Sequence, residues 1–210
     1  MLTDDSGAFL SAFGGEATYA IASNAGTLLT AIVEDGDEWS GMCSALRTAY
    51  DHGQVRLGRA WVLPADLPAV PAFGHTLEQA DVVWTVQDSR PEGDMLVLGL
   101  ALGVFVVDVT VQRLEEVSDG ALGYREEPET IWTGRAAVHG LGGEERLRAA
   151  REVGVGYRSG WLPACPDLAP GCVIVTPHEV LHVTSAYTDR ERGWTVFTAE
   201  ARQDAQEAAG

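Results

Sequence analysis

The sequence predicts an all-β chain: two tandem small antiparallel β-barrels or sandwiches, each with a helix in a long loop. Three observations lead there. The first is an internal repeat, in which Trp61-Val62-Leu63-Pro64-Ala65 returns one residue shorter as Trp161-Leu162-Pro163-Ala164. Each copy follows an alternating stretch (Val55, Leu57, Arg59 and Val155, Tyr157, Ser159) and precedes a Pro-containing turn ending in Gly74 or Gly171. Upstream, Thr27-Leu28-Leu29-Thr30 is echoed by Thr130-Ile131-Trp132-Thr133. The offsets of 103, 100 and 97 residues drift slowly, as loop-length changes between two copies of one unit would make them. The second observation is that short segments with period-two patterning, bounded by Gly, Pro, Asp and Ser, outnumber helical ones. The third is the longest apolar run, 95–107, between Asp94 and Asp108. It falls short of the roughly 18 residues of a membrane helix and reads as a doubly buried strand feeding the next unit.

In the first copy, Asp4, Asp5 or Ser6 can cap a short helix that places Phe9, Leu10 and Phe13 on one face and ends at Gly14-Gly15. Strands are expected over 17–22 and 27–33. Ser40 then offers a cap to a helix over 41–51, where Met42, Ala45, Leu46 and Ala49 recur at helical spacing and Gly53 closes the stretch. Strands follow over 54–63, 82–87 and 95–102, the last two joined by the turn Ser89-Arg90-Pro91-Glu92-Gly93. The second copy has expected strands over 105–114 and 130–138, an Arg/Glu-rich helix over 144–152, and strands over 153–158, 173–176, 180–186 and 194–199. The domains are therefore 1–103 and 104–201, with an Ala/Gln/Glu tail, 202–210, expected to be disordered.

Composition excludes several classes. The chain of 210 residues is 46% apolar with 6 Trp, far from a disordered acidic tail. All 14 basic residues are Arg, against 31 Asp plus Glu, for a net charge of −17. Such a chain repels phosphate and is no basic grip on nucleic acid. The opening Met1-Leu2-Thr3-Asp4-Asp5 lacks the basic n-region of a signal peptide. Cys43, Cys165 and Cys172, odd in number and unpaired in spacing, read as reduced core thiols of an intracellular product.

One catalytic motif is present by letter: His178-Glu179-Val180-Leu181-His182 matches H-E-x-x-H. On a helix the two His share a face and reach one zinc. Here Pro177 precedes the motif, and Val173-Ile174-Val175 and Val183-Thr184 flank it with strand-like sequence. Residues four apart in a strand sit roughly 13 Å apart and cannot converge on one metal. A third ligand would have to be Glu200, Glu207 or His139, of which Glu200 alone has suitable spacing. The expected structure is a hairpin turn with one His inward and one outward; a zinc metallopeptidase is the one concrete enzyme alternative. No nucleophile elbow, P-loop or dinucleotide loop is present, so no catalytic residue, metal or cofactor is assigned.

The second half resembles the head–tail joining family, the head-closure or stopper proteins of long-tailed phages. The resemblance runs through Val109-Thr110-Val111-Gln112-Arg113, an acidic loop with Gly123-Tyr124, and Glu129-Thr130-Ile131-Trp132 leading into Ala136-Ala137-Val138. It continues through a Gly/Glu/Arg excursion over 143–151, the Pro170-Gly171 turn, a hairpin over 179–186 and a closing strand over 194–200. The first half is similar to the lambdoid head–tail attachment proteins. It matches at Phe9-Leu10, Gly15-Glu16-Ala17-Thr18-Tyr19, Leu63-Pro64-Ala65-Asp66-Leu67-Pro68, Gly74-His75-Thr76-Leu77 and Val83-Trp84-Thr85-Val86. Together the two matches span 1–102 and 105–200. Such proteins normally have one small domain, whereas two are fused here.

The resemblance implies a non-enzymatic virion protein at the head–tail neck, assembled in the host cytoplasm without a membrane. It implies a homo-oligomeric ring of six or twelve copies, with portal or adaptor proteins on one side and a tail terminator or tail tube protein on the other. Genomic DNA would pass through the lumen without sequence-specific binding, and an acidic wall would keep that passage from stalling. A tail terminator or a baseplate or tail-hub component is the alternative within the same class. The excursions 39–53 and 139–154 are the expected channel or interface loops, with Trp39, Met42, Arg47, His139, Glu144, Glu145, Arg146, Arg148 and Arg151 as candidates. Residues 1–104 hold 4 Arg and 14 acids, and 105–210 hold 10 Arg and 17 acids. The second unit is therefore expected to make more of the ionic contacts between subunits.

Overall fold

The computed structural model describes residues 6–21, 26–36, 38–39, 41–118, 124–140 and 155–202. The chain is all-β and divides into two compact units, Met1–Val104 and Phe105–Gly210. Unit 1 contains α1 (Ser6–Phe13), β1 (Gly15–Ala20), β2 (Thr27–Asp35), α2 (Ser44–Asp51), β3 (Arg56–Val62), β4 (Thr76–Gln79), β5 (Val82–Glu92) and β6 (Met95–Leu102). Unit 2 contains β7 (Val106–Ser118), β8 (Tyr124–Gly140), β9 (Val155–Pro163), β10 (Val173–Val175), β11 (Val180–Asp189) and β12 (Trp194–Arg202). Among the described residues, no helix is long and apolar enough to cross a membrane.

Each unit is a closed six-stranded antiparallel barrel. The strand orders are β1-β2-β3-β6-β5-β4 and β7-β8-β9-β12-β11-β10, closed by β1 on β4 and β7 on β10. Reading β7 as β1 makes the two orders identical. The repeated Trp lies near the end of the third strand in both: Trp61 is opposite Val97, and Trp161 opposite Val196. The next residues, Val62 and Leu162, point into the two cores.

The likeness extends to individual hydrogen bonds at the 97-residue offset. Gly74 N–H donates to Val86 O and Val86 N–H to His75 O, as Gly171 N–H donates to Val183 O and Val183 N–H to Cys172 O. His75 N–H to Ala72 O matches Cys172 N–H to Ala169 O. Gly74 and Gly171 both have positive φ, 84° and 91°, which a residue with a Cβ adopts only at a cost. A β-bulge follows at the same place in each copy, between Val86 and Asp88 and between Val183 and Ser185. Two small barrels built on one hydrogen-bond plan, with cores of different residues, are the outcome expected of duplication followed by divergence.

Alternation fills the interiors. Tyr19, Ala31, Ala60, Val62, Leu77, Val86, Leu98 and Leu100 are fully buried in unit 1; Val111, Ala136, Leu162, Ile174, Leu181 and Ala199 are in unit 2. Each large side chain taken from water contributes about 2 kcal/mol. In unit 1 the outward side of β3 and β6 is apolar as well, and Leu57, Val97 and Ala101 are buried there.

Several boundaries differ from the sequence reading. The first helix buries Leu10, but Phe9 and Phe13 are 50% and 71% exposed and touch each other in a tilted pair with centroids 5.0 Å apart. A helix of two turns lying on β2 offers the barrel only one apolar edge. Cys43 rather than Ser40 caps α2, its Sγ accepting from Leu46 N–H at 3.4 Å. Ahead of the helix, Met42 N–H donates to Trp39 O at 3.1 Å. The expected turn at 89–93 is strand: β5 runs to Glu92 and reverses through Gly93-Asp94. The expected helix over 144–152, Ser40 and the tail 203–210 lie outside the described residues.

Candidate functional site

Of the candidates in the first excursion, two serve the unit's own packing. Trp39 is 6% exposed, and its indole Nε1 donates to Asp88 Oδ2 at 2.7 Å. The ring lies on Gly99, whose missing side chain makes the contact possible: a Cβ there would meet the indole at 2.7 Å. Burial raises the Asp88 carboxyl above its usual range, against the lowering pull of the Trp39 hydrogen bond and of Arg90. Met42 is 1% exposed. Both side chains are buried, as are the outward-facing Leu57 of β3 and Val97 of β6. Arg47 remains at the surface, with its Nε 2.7 Å from Glu38 Oε2.

In the second excursion, His139 belongs to β8 rather than to a loop, paired in register with Ser159. It stacks on Trp161 with centroids 5.0 Å apart and planes 15° apart, and Trp161 is 2% exposed. Its Nε2 is buried without a hydrogen-bond partner among the described residues, and burial lowers the pKa of the ring. Glu144, Glu145, Arg146, Arg148 and Arg151 lie outside the described residues. Of the nine candidates, Trp39, Met42, Arg47 and His139 are therefore the ones among the described residues, the first three in unit 1 and the last in unit 2.

The H-E-x-x-H segment is the β10–β11 hairpin. Val173 pairs with His182, Ile174 with Leu181 and Val175 with Val180, leaving a tight turn at 176–179. The Thr176 hydroxyl organises that turn, accepting from Glu179 N–H at 2.9 Å and His178 N–H at 3.2 Å. His178 is exposed at the turn, and His182 lies on the outer face because Leu181 and Val183 point into the core. The expectation of one inward His is corrected: neither points inward. Glu179 makes a bidentate pair with Arg158, both contacts at 2.8 Å. It thus ties the hairpin to β9, which is not its sheet neighbour. Among the described residues, no group of three His, Cys, Asp or Glu side chains is placed to hold a metal ion.

Two features escaped the sequence reading. One is a buried polar pair in the first barrel. His75 Nδ1 accepts from Ala72 N–H, so the Tyr19 hydroxyl donates to it, at 2.6 Å. Desolvation pushes the Tyr19 pKa up to about 12, although a backbone hydrogen bond at Ala72 works the other way. In the second barrel the equivalent positions are Val111 and Cys172, an apolar pair.

The other feature is a ribbon. The stretch read as an acidic loop is largely strand, with β7 and β8 pairing out to Ser118 opposite Tyr124. Glutamates have low strand propensity, and the segment lacks the alternation of a half-buried strand, so no sequence signal marked it.

The surface also carries apolar groups. Leu28 is 62% exposed, beside a cleft of about 400 Å³ lined by Leu10, Gly14, Leu28, Leu29 and Leu63 among others. Phe105 and Tyr187 in unit 2 are 76% and 67% exposed.

No protein-family model and no curated protein sequence matches the chain. The solution structure of protein SF1141 from Shigella flexneri 2a, a structural genomics target, is similar at 20% identity over 48% of this chain and 93% of that one. The TM-score is 0.37, and at that level the likeness carries no argument.

Proposed function

We propose that the chain is a structural connector of a long-tailed phage or phage-like particle, a head-closure ring component between portal or adaptor and tail. The observation that best supports this reading is a duplicated closed barrel in a chain of net charge −17 without a single lysine. Closed barrels expose few free edges, so copies of such a unit associate through loops and side-chain surfaces. The exposed Phe9, Phe13 and Leu28 of unit 1 are apolar groups that a neighbouring copy can bury. An acidic lumen repels the duplex and lets it slide, where a lysine-lined one would hold it. The excursions 39–53 and 139–154 remain the proposed inter-ring loops, with Arg47 and the 144–151 charges as contacts; Trp39, Met42 and His139 are reassigned to internal packing.

The peptidase reading loses its motif to the hairpin and to the Arg158–Glu179 pair. Negative-stain images of the purified chain, alone and mixed with portal-bearing heads, test the connector. Rings on the portal vertex are the expected result. A strict monomer that binds stoichiometric zinc and releases it on His178→Ala would overturn it.

A further inference from the structure

We propose that the cleft of unit 1 between α1, the β1–β2 pair and the turn after β3 is a docking site. Its occupant is a short segment of another protein that carries an aliphatic side chain next to Lys or Arg. Docking of that kind holds whether or not the chain forms rings.

The cleft has a fixed frame and an apolar floor. The helix α1 lies against β2, and Gly14 makes the approach close. Its N–H donates to Leu10 O at 2.7 Å, and a Cβ there would meet Thr30 Cγ2 at 2.6 Å. Around the resulting space of about 400 Å³ stand four leucines, Leu10, Leu28, Leu29 and Leu63. Leu10 and Leu29 are buried, whereas Leu28 is 62% exposed. Such a volume is at the small end of ligand-sized sites and suits one or two side chains rather than a folded surface. Phe9 and Phe13 lie on the opposite face of α1 and take no part. The helix is an attachment to the barrel, because unit 2 closes the same strand order with no helix ahead of β7.

The charge of the cleft is one-sided. Its charged lining residues are Glu16 and Asp66, both exposed. Among the described residues neither has a cationic partner. The four Arg of unit 1 are placed elsewhere: Arg47 on Glu38, Arg56 on Asp35, Arg59 on the Glu38 carbonyl and Arg90 beside Asp88. Residues 1–5, ahead of α1, and 22–25, between β1 and β2, contain no Arg and bring no basic side chain to this rim. Two carboxylates over a leucine floor complement an aliphatic side chain with an ammonium or guanidinium group beside it. A second copy of the chain, at net charge −17 and without lysine, is the poorer occupant.

The test uses the full chain and a fluorescein-labelled peptide, Gly-Lys-Leu-Leu-Lys-Gly, read by anisotropy. Saturable binding is expected, weakening as salt rises, with hydrogen-exchange protection appearing over 7–16 and 27–30. Peptides with Glu for Lys, or Ser for Leu, should not bind. Leu28→Ser changes an exposed side chain and should weaken binding about tenfold. Glu16→Gln with Asp66→Asn should also weaken it about tenfold and flatten its salt dependence. Glu126→Gln with Glu129→Gln removes the same charge from unit 2 and should leave binding unchanged. Every variant should fold by circular dichroism. Absence of binding at low salt, binding that survives Leu28→Ser, or an equal loss in the Glu126 and Glu129 variant would overturn the proposal. So would peptide binding that appears only after residues 1–5 are removed, which would make the chain itself the occupant. Self-association that Leu28→Ser abolishes would assign the cleft to a second copy and overturn it as well.

Discussion

Tyr19 shows how one buried hydroxyl makes stability depend on pH. Its pKa rises from 10.0 unfolded to about 12 folded, because burial disfavours the phenolate. The contribution is intact below pH 10 and is lost as pH rises toward 12, since the unfolded chain gives up the proton first. Two units correspond to about 2–3 kcal/mol. Tyr19→Phe should therefore cost about 1 kcal/mol at pH 7 through the lost hydrogen bond to His75. It should also flatten the fall in stability between pH 10 and 12, as read by urea unfolding at each pH. His139 works at the other end of the scale. Its lowered pKa means that the unfolded chain takes up a proton first, so the contribution is present above 6.5 and is lost as pH falls below it. His139→Phe keeps an aromatic ring against Trp161, and unfolding midpoints should fall less steeply below pH 6.5 than in the unmodified chain.

At the level of elements, the β4–β5 hairpin carries a correctable strain. Its turn residues, Ala80 and Asp81, have φ of 51° and 63°, a left-handed pair that suits Asn-Gly and costs an alanine about 1 kcal/mol. Ala80→Asn with Asp81→Gly should raise stability by about 0.5–1 kcal/mol, seen as a few degrees in a thermal melt. The same turn explains why β4 was missed: four residues joined to β5 by Ala-Asp give no hairpin signal. What was legible had strong local chemistry. The strings Trp61-Val62-Leu63-Pro64 and Trp161-Leu162-Pro163 mark the ends of β3 and β9, and the glycine-terminated turns mark Gly74 and Gly171, where positive φ is needed. What was hidden depends on partners distant in sequence. Trp39 looks like a lone aromatic in a polar loop until Asp88, 49 residues on, accepts its N–H. Glu179 looks like a catalytic base until Arg158, 21 residues earlier, claims both its oxygens. Breaking that pair with Arg158→Ala should cost about 1–2 kcal/mol, measured by chemical denaturation, because the pair is partly exposed and bidentate.

For the whole molecule, duplication has left two barrels with one hydrogen-bond plan and different attachments. Unit 1 carries the buried Tyr19–His75 pair and the Trp39–Asp88 hydrogen bond; unit 2 carries the His139–Trp161 stack and the acidic β7–β8 ribbon. Closed barrels that differ mainly in their attachments suit a part whose work is done at contacts with other proteins. On the connector proposal, the acidity of the chain belongs to the inner wall of an assembly. The measurement that tests this most directly is the mass of the purified chain in solution, by native mass spectrometry or sedimentation, over a range of concentrations and with portal-bearing particles present. A closed multiple of the 22.4 kDa chain, six or twelve copies, alone or on the portal, is the expected result. A mass of 22.4 kDa under every one of these conditions would contradict it.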